Sequence, residues 1–325
     1  MAKVTMVEAI AMAMAYELEH DPAVVVLGED VGVNGGVFRA TAGLQQRFGK
    51  ERVMDTPLAE ALIAGISIGM AAQGMKPVAE IQFSGFIYPT VDQMINHAGR
   101  LRTRTRGRLH VPMVLRAPSG GGIHAPEHHS ESNEAMFAHM PGIRTVMPSS
   151  PSRAYGLLLA AIRDPDPVVF LEPTRLYRLN KADVEDDGKA LPLDTCFVLR
   201  EGEDVTLVSW GAMVHETLQA AAKLAEEGVS CDVIDLATVS PIDFDTVLES
   251  VEKTGRLVII HEAPRNCGVG AEIAATVAEK AIYSLKAPIE RVTGYDIPMP
   301  LFKLEHDYMP SVERVIKGIR KVLEA

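Results

Sequence analysis

Two glutamates and a run of histidines are the residues of this chain best suited to proton chemistry. Glu60 opens a stretch, 58–73, that is otherwise Ala, Leu, Ile, Gly, Ser, Met and Gln, with no second charge. A carboxylate beside so apolar a helix is desolvated unless paired, so its pKa is expected to rise and leave a poised acid or base. The competing role is a helix-N-terminal carboxylate held by the dipole. His124, His128 and His129 follow the glycine run Gly120-Gly121-Gly122. Histidine titrates near neutrality and suits proton transfer. A zinc site needs three or four convergent ligands, and these histidines sit in a Gly/Pro loop with no Cys nearby. Three further groups stand out: Glu29-Asp30 before the glycines 32–36, Asp55-Thr56-Pro57-Leu58-Ala59-Glu60, and Gln82-Phe83-Ser84-Gly85-Phe86.

All of these follow short apolar, β-branched runs. Strands are expected at 24–27, 52–54, 78–81, 113–115, 145–147 and 168–171, with helices over 57–73, 89–104 and 151–163. Alternating strands and helices, with strands apolar throughout, imply a parallel sheet covered on both faces. Ligands in such sheets bind outside the carboxyl ends of the strands, which is where the residues above fall. A second series begins after residue 200, with strands at 205–209, 231–236, 257–260 and 289–292 and helices at 212–227, 243–253, 271–283 and 311–323. The charge-rich stretch 176–203 separates the two as a linker. Arg100, Arg102, Arg104, Arg106 and Arg108 read as cations closing helix 89–104, where they complement the dipole and stay solvated. Gly268-Val269-Gly270 does not complete a dinucleotide loop, since Ile273 takes the third glycine position.

With 325 residues, the length favours about two domains. The 47% hydrophobic and 23% charged content excludes disordered, collagen-like and disulfide-framework classes. The longest apolar runs, 23–27 and 157–162, fall far short of the roughly 18 residues that span a bilayer. Thirty-two basic against forty-three acidic residues give a net charge of −11, which repels nucleic acid and anionic membranes, so neither is an expected partner. Cys196, Cys231 and Cys267 are far apart and unpaired in pattern, as in a reducing cytosol. The N-terminus shows no secretory segment, and Thr5-x-x-Glu8 reads as a capping box. A cytoplasmic location is expected.

Several motifs together carry a resemblance. Gly28-Glu29-Asp30-Val31-Gly32, Asp55-Thr56-Pro57-Leu58-Ala59-Glu60, His128-His129-Ser130-Glu131-Ser132, the run 163–172 and Asp235-Leu236-Ala237-Thr238-Val239-Ser240-Pro241 occur in order. From about residue 4 to its end the chain resembles the beta subunits of thiamine-diphosphate-dependent 2-oxo acid dehydrogenases. The resemblance implies a transketolase-like α/β fold of two open, mostly parallel-sheet domains: a pyrimidine-binding domain at 1–175, the linker 176–203, and a transketolase C-terminal domain at 204–325. It assigns Glu60 to the ring nitrogen of the cofactor's aminopyrimidine, where a carboxylic acid favours the imino tautomer. Phe86 matches the aromatic packed on that ring, Gln82 a neighbouring contact, and Glu29 a member of an acidic proton relay. His129 matches the histidine that assists reductive acylation of the lipoyl group, with His128 its neighbour. The carbonyls of Met113, Ala161, Ile162, Asp164 and Asp166 match a potassium site of some relatives. The stretch 120–127 is more similar to the pyruvate members than to the branched-chain ones.

Such enzymes hold the diphosphate through Mg2+ on a Gly-Asp-Gly stretch, and none occurs in these 325 residues. The resemblance therefore implies an alpha subunit carrying the diphosphate and Mg2+, in an alpha2-beta2 heterotetramer that decarboxylates a 2-oxo acid. The C-terminal domain is expected to dock the subunit-binding domain of a dihydrolipoyl acyltransferase, whose lipoyl domain receives the acyl group. Glu324-Ala325 and nearby acidic residues are the expected contacts. The alternatives are a branched-chain or acetoin relative, a self-sufficient transketolase-type enzyme, a non-catalytic assembly subunit, and a metal hydrolase on the three histidines. The missing Gly-Asp-Gly opposes the self-sufficient enzyme, and the retained Glu60, Phe86 and His129 oppose the assembly subunit.

Overall fold

Apolar runs too short for helices form the strands of both sheets. The computed structural model describes residues 2–325. Its contacts group into two units: the chain up to Ser119 with Met136–Leu193, and Gly120–Ala135 with Asp194–Ala325. In the first unit lie β1 (Ala2–Val4), β2 (Val24–Gly28), β3 (Val53–Asp55), β4 (Lys76–Glu80), β5 (Val114–Ser119), β6 (Arg144–Val146), β7 (Val168–Pro173) and β8 (Ala182–Val184). β1 pairs antiparallel with β8. The rest form a parallel sheet in the order β6-β7-β5-β4-β2-β3. β2, β5 and β7 are buried at every position, as strands covered on both faces must be.

The helix Met6–His20 begins with the capping box: Glu8 N–H donates to the Thr5 hydroxyl, and Thr5 N–H donates to Glu8 Oε2 at 2.7 Å. The expected helix 89–104 is broken. Short helices Val91–Asn96 and Leu101–Arg104 flank His97, which sits at φ −122°, ψ −63°. The chain at Gly99 passes so close to Pro141 and Gly142 that a Cβ at Gly99 would meet the Pro141 carbonyl at 2.8 Å. The arginine row satisfies the carbonyls this break exposes, Arg100 Nε donating to Ile95 O at 3.0 Å and Arg104 Nη2 to Asn96 O at 2.8 Å. Arg102 pairs with Asp166 at 2.7 Å.

One polar cluster crosses the interior of this sheet. Arg116 on β5 is 1% exposed and lies between Glu80 of β4 and Glu172 of β7, with Nε–Oε1 2.7 Å and Nη2–Oε2 2.8 Å to Glu172. Tyr177 adds a hydroxyl donated to Glu172. Burial opposes the charge on Arg116, but Glu172 and Glu80 outweigh it and hold the guanidinium cationic above its ordinary range.

The second unit holds β9 (Phe197–Arg200), β10 (Val205–Ser209), β11 (Cys231–Asp235), β12 (Thr238–Ser240), β13 (Leu257–Pro264) and β14 (Glu290–Gly294). Its sheet runs β14-β13-β10-β11-β9, parallel except for the antiparallel edge strand β9. Helices Met213–Ala225, Phe244–Thr254, Val269–Lys280 and Val312–Leu323 accompany it. Val315, Ile319 and Val322 form the buried stripe of the last. The stretch 176–203 is structured: β8 and β9 lie in it, Tyr155 Oη donates to Asp186 at 2.9 Å, and the Leu191 side chain closes over Gly156. Among the described residues no helix is long and apolar enough to cross a membrane.

Replacing Arg116 with Met leaves Glu80 and Glu172 buried without a cation, so unfolding free energy is expected to fall by about 3–5 kcal/mol. Urea denaturation of the purified chain measures this; a loss within about 0.5 kcal/mol, as for an ordinary surface change, would contradict the role given to the cluster.

Candidate active site

Several acidic residues of the first unit, Glu29, Asp30, Asp55 and Glu60, follow or end the parallel strands β2 and β3. The turn after β2 places Glu29, 7% exposed, beside the segment that starts the helix Glu60–Ala72. Its loop is fixed by Asp55, which accepts the Gly32 N–H at 2.6 Å, and by Thr56, whose N–H donates to Gly28 O at 2.9 Å. Burial, followed by the nearby Glu60 and Asp30 carboxylates, raises the Glu29 pKa, and the Ala59 N–H lowers it less. Glu29 Oε1 is buried without a hydrogen-bond partner among the described residues. Glu60 is the first residue of its helix, half-buried, with Ala59 supplying no side-chain cap. The structure thus brings Glu29 and Glu60 into one electrostatic site. An orphaned buried oxygen there fits a ligand that offers a hydrogen-bond donor or a protonated ring nitrogen.

The wall of that edge is aromatic. After β4 the chain turns through Ser84–Phe86. Phe83 meets Phe86 edge-on at 5.7 Å between centroids and Phe38 at 5.3 Å, and Phe38 reaches Tyr177 at 5.2 Å. Gln82 and Phe86 are both half-buried at the start and end of this turn. A flat apolar surface with an amide at one end suits a planar heteroaromatic ring.

The histidines belong to the second unit, with the loop Gly120–Ala135 that carries them. His129 is half-buried, its Nδ1 2.8 Å from Glu127 O, while His128 and His124 are exposed. His128 Nδ1 lies 3.9 Å from Glu131, and His124 Nε2 lies 3.6 Å from Glu305 and 3.4 Å from His306 Nε2. The three therefore take separate partners. Among the described residues no three His, Cys, Asp or Glu side chains gather as a metal-binding group.

Three glutamates of this unit are functional candidates that the sequence reading passed over. Glu262 lies near the end of strand β13 and Glu305 starts the short helix Glu305–Tyr308, both buried. Glu134 is 1% exposed and accepts from Trp210 Nε1 at 3.2 Å. A polar pair, His261-Glu262, directly after the apolar run 257–260 was the available signal for Glu262.

The carbonyl positions matched to potassium lie around the end of the helix Pro151–Arg163. Met113 O already accepts the Val168 N–H at 3.0 Å, and Asp164 Oδ1 closes the turn by accepting the Asp166 N–H at 2.8 Å. Near the C-terminus both signs of charge line the surface: Glu313 and Glu324 share a groove with Lys317, Arg320 and Lys321. A cleft of about 540 Å³ beside the last helix is lined by Arg265, Arg291, Arg314, Lys317 and Lys321 against Glu290 and Asp296.

Comparison with known proteins agrees in both halves. Residues 2–180 match the transketolase pyrimidine-binding domain and residues 194–315 the transketolase C-terminal domain. The chain is 49% identical over 325 residues to the pyruvate dehydrogenase E1 component subunit beta of Acholeplasma laidlawii, covering 100% of this chain and 99% of that protein. It is 48% identical over 324 residues to the same subunit of Bacillus subtilis, with 100% of each covered. A solved structure described as a split-gene transketolase, an inactive beta4 tetramer, superposes with a TM-score of 0.80 at 22% identity over 99% of both chains. That likeness shows the two-domain transketolase-like α/β fold.

Glu134 yields a pH test. Burial first, opposed in part by Trp210, raises its pKa from 4.5 to about 7. Between those values the folded chain keeps the proton and the unfolded chain has released it, so stability falls as pH rises through the window. Glu134→Gln removes the cost, about 3 kcal/mol at most. The variant is expected to melt above wild type at pH 8, with the gap closing by pH 5. Thermal melts across that range check it, and a gap independent of pH would contradict it.

Proposed function

The chain belongs to the family of pyruvate dehydrogenase E1 component beta subunits, and from that premise we propose how its residues serve oxidative decarboxylation of pyruvate. It is the beta chain of a 2-oxo acid dehydrogenase that passes the acyl group to a lipoyl domain, and it acts with an alpha subunit. The observation carrying the site assignment is the pair Glu29 and Glu60, with a buried, unpartnered oxygen on Glu29 at the carboxyl edge of the sheet.

The donor set fits the pyrimidine half of thiamine diphosphate. When bound, that cofactor supplies the nucleophilic carbon and the electron sink that decarboxylation of a 2-oxo acid requires. Glu60 holds a proton at the ring nitrogen, from the first position of its helix. Phe86 packs on the ring with Phe83 and Phe38 behind it, keeping water from that face. Gln82 contacts the ring edge. Glu29, with its raised pKa, accepts and returns protons as part of an acidic relay. His129 moves a proton during transfer of the acyl group to the lipoyl sulfur.

Nothing in the sequence supplies the diphosphate and Mg2+ half, since Gly-Asp-Gly is missing, so the alpha subunit provides it in an alpha2-beta2 assembly. An exposed apolar stripe supports such a partner. Leu58 is 79% exposed, Leu62 44% and Ile66 37%, all on or next to the helix that Glu60 begins. Leu62 and Ile66, four residues apart, share one face of the helix and Leu58 lies just before it, a stripe that a subunit sealing the site would cover. The carbonyls of Met113, Ala161, Ile162, Asp164 and Asp166, at and around the end of the helix Pro151–Arg163, would hold potassium. The second unit docks the acyltransferase through the charged surface at its last helix, where Glu324 and Glu313 stand beside a cleft of mostly basic lining.

In the reconstituted tetramer Glu60→Ala is expected to lower pyruvate decarboxylation by at least about 100-fold, with melting temperature near wild type. Unaltered turnover would refute the role. His129→Ala is expected to impair acylation of a free lipoyl domain about 10-fold or more beyond its effect on turnover with an artificial electron acceptor. Equal losses in the two assays would count against that assignment.

A further inference from the structure

The loop that carries His129 has no helix or strand from Gly120 to Asn133, yet its first part is bonded through the backbone, and its last through the Ser132 hydroxyl, to buried carboxylates far along the chain. Glu262 Oε1 accepts the Gly121 N–H at 2.5 Å and the Ser132 hydroxyl at 3.1 Å. One oxygen therefore joins the first and last parts of the loop. Beneath it the neck is closed by the Gly120 N–H donating to Glu131 O at 2.9 Å. Glu305 takes the next stretch: Oε1 accepts the Gly122 N–H at 2.6 Å and Oε2 the His124 N–H at 3.0 Å. Glu305 is 1% exposed and Glu262 8%, so both carboxylates are spent on the loop rather than on water.

Two features of the loop suit it to this arrangement. Gly120 has φ +82°, and a Cβ there would meet Glu262 Oε1 at 2.8 Å. A Cβ on Gly121 would meet Met299 Cε at 2.6 Å and Glu305 Oε1 at 3.1 Å. The glycines thus let the backbone approach the carboxylates closely enough for charge-assisted bonds, which are about twice as strong as neutral ones.

We propose that Glu262 and Glu305 are positioning residues for acyl transfer: they clamp the loop 121–132 so that His129 is presented in one geometry. The proposal rests on the reading of His129 given above. It predicts a split in kinetics, because the clamp acts on the histidine of the acyl-transfer step and touches none of the residues assigned to decarboxylation. A displacement of about 1 Å costs up to about 100-fold in a step that depends on orientation.

The test uses the reconstituted alpha2-beta2 enzyme with Glu262→Ala, Glu305→Ala, Ser132→Ala and Glu262→Gln, beside His129→Ala. Two rates are measured for each: acylation of a free lipoyl domain, and pyruvate turnover with 2,6-dichlorophenolindophenol. Hydrogen exchange over 121–132 is followed in parallel. Glu262→Ala and Glu305→Ala are expected to lower acylation about 10-fold or more and dye turnover less than about 3-fold, with faster exchange in the loop. Glu262→Gln keeps an acceptor oxygen and is expected to restore most of the acylation rate. Ser132→Ala removes one bond and leaves the fold least disturbed, so it supports the clamp by a smaller loss of the same kind.

Parallel loss of both rates, or faster loop exchange with acylation unchanged, would overturn the positioning role. If His129→Ala shows the split and the glutamate variants do not, the clamp fails while the histidine assignment stands. If His129→Ala itself shows no split, both fall.

Discussion

Arg116, buried between Glu80 and Glu172, sets the carboxyl edge of the first sheet. The three residues sit on adjacent strands β4, β5 and β7, whose ends deliver Gln82, Ser119 and Thr174 to the loops beyond. A buried guanidinium with two carboxylates is stable only in a geometry that satisfies all three, because removing one partner strands a charge. The arrangement therefore fixes strand register where the site is assembled. It also accounts for charged residues buried inside a sheet whose interior is mostly apolar.

From that edge the chemistry is divided. The first unit gathers the carboxylates and the aromatic wall, and the second gathers the histidine loop. Burial, followed by the nearby Glu60 and Asp30 carboxylates, disfavours charge on Glu29 and raises its pKa. The loop from Gly120 to Ala135 leaves β5 of one unit and is bonded within the other by Glu262 and Glu305. A division of this kind suits two chemical steps with separate demands, ring binding by the carboxylates and aromatics and acyl transfer by the histidine, as proposed above. It also suits a chain that supplies part of an active site and leaves the phosphate half to a partner.

Much of this was legible before any coordinates. The strands announced themselves by unbroken runs such as Val24-Val25-Val26-Leu27, and the first helix by Thr5 and Glu8. Glu60 stood out as one charge in an apolar helix, and the ordered motifs placed it in a family. What stayed hidden depends on distant partners. Glu262 and Glu305 lie 141 and 183 residues from the glycines they bind, so no local pattern showed that 120–135 belongs with the second unit. The break at His97 arises from close approach of Gly99 to Pro141 and Gly142, which neither periodicity nor propensity reveals. Net charge says little about local charge: −11 for the whole chain coexists with a cleft rich in arginine and lysine beside the last helix.

The central claim is that this chain holds the pyrimidine half of a shared site and needs an alpha subunit for the rest. The most direct measurement is calorimetric titration of thiamine diphosphate, with Mg2+ present, into the chain alone and into its equimolar mixture with the alpha subunit. The account predicts no saturable binding by the chain alone at micromolar cofactor, and tight binding with one site per alpha-beta pair in the mixture. Micromolar, stoichiometric binding by the isolated chain would contradict it.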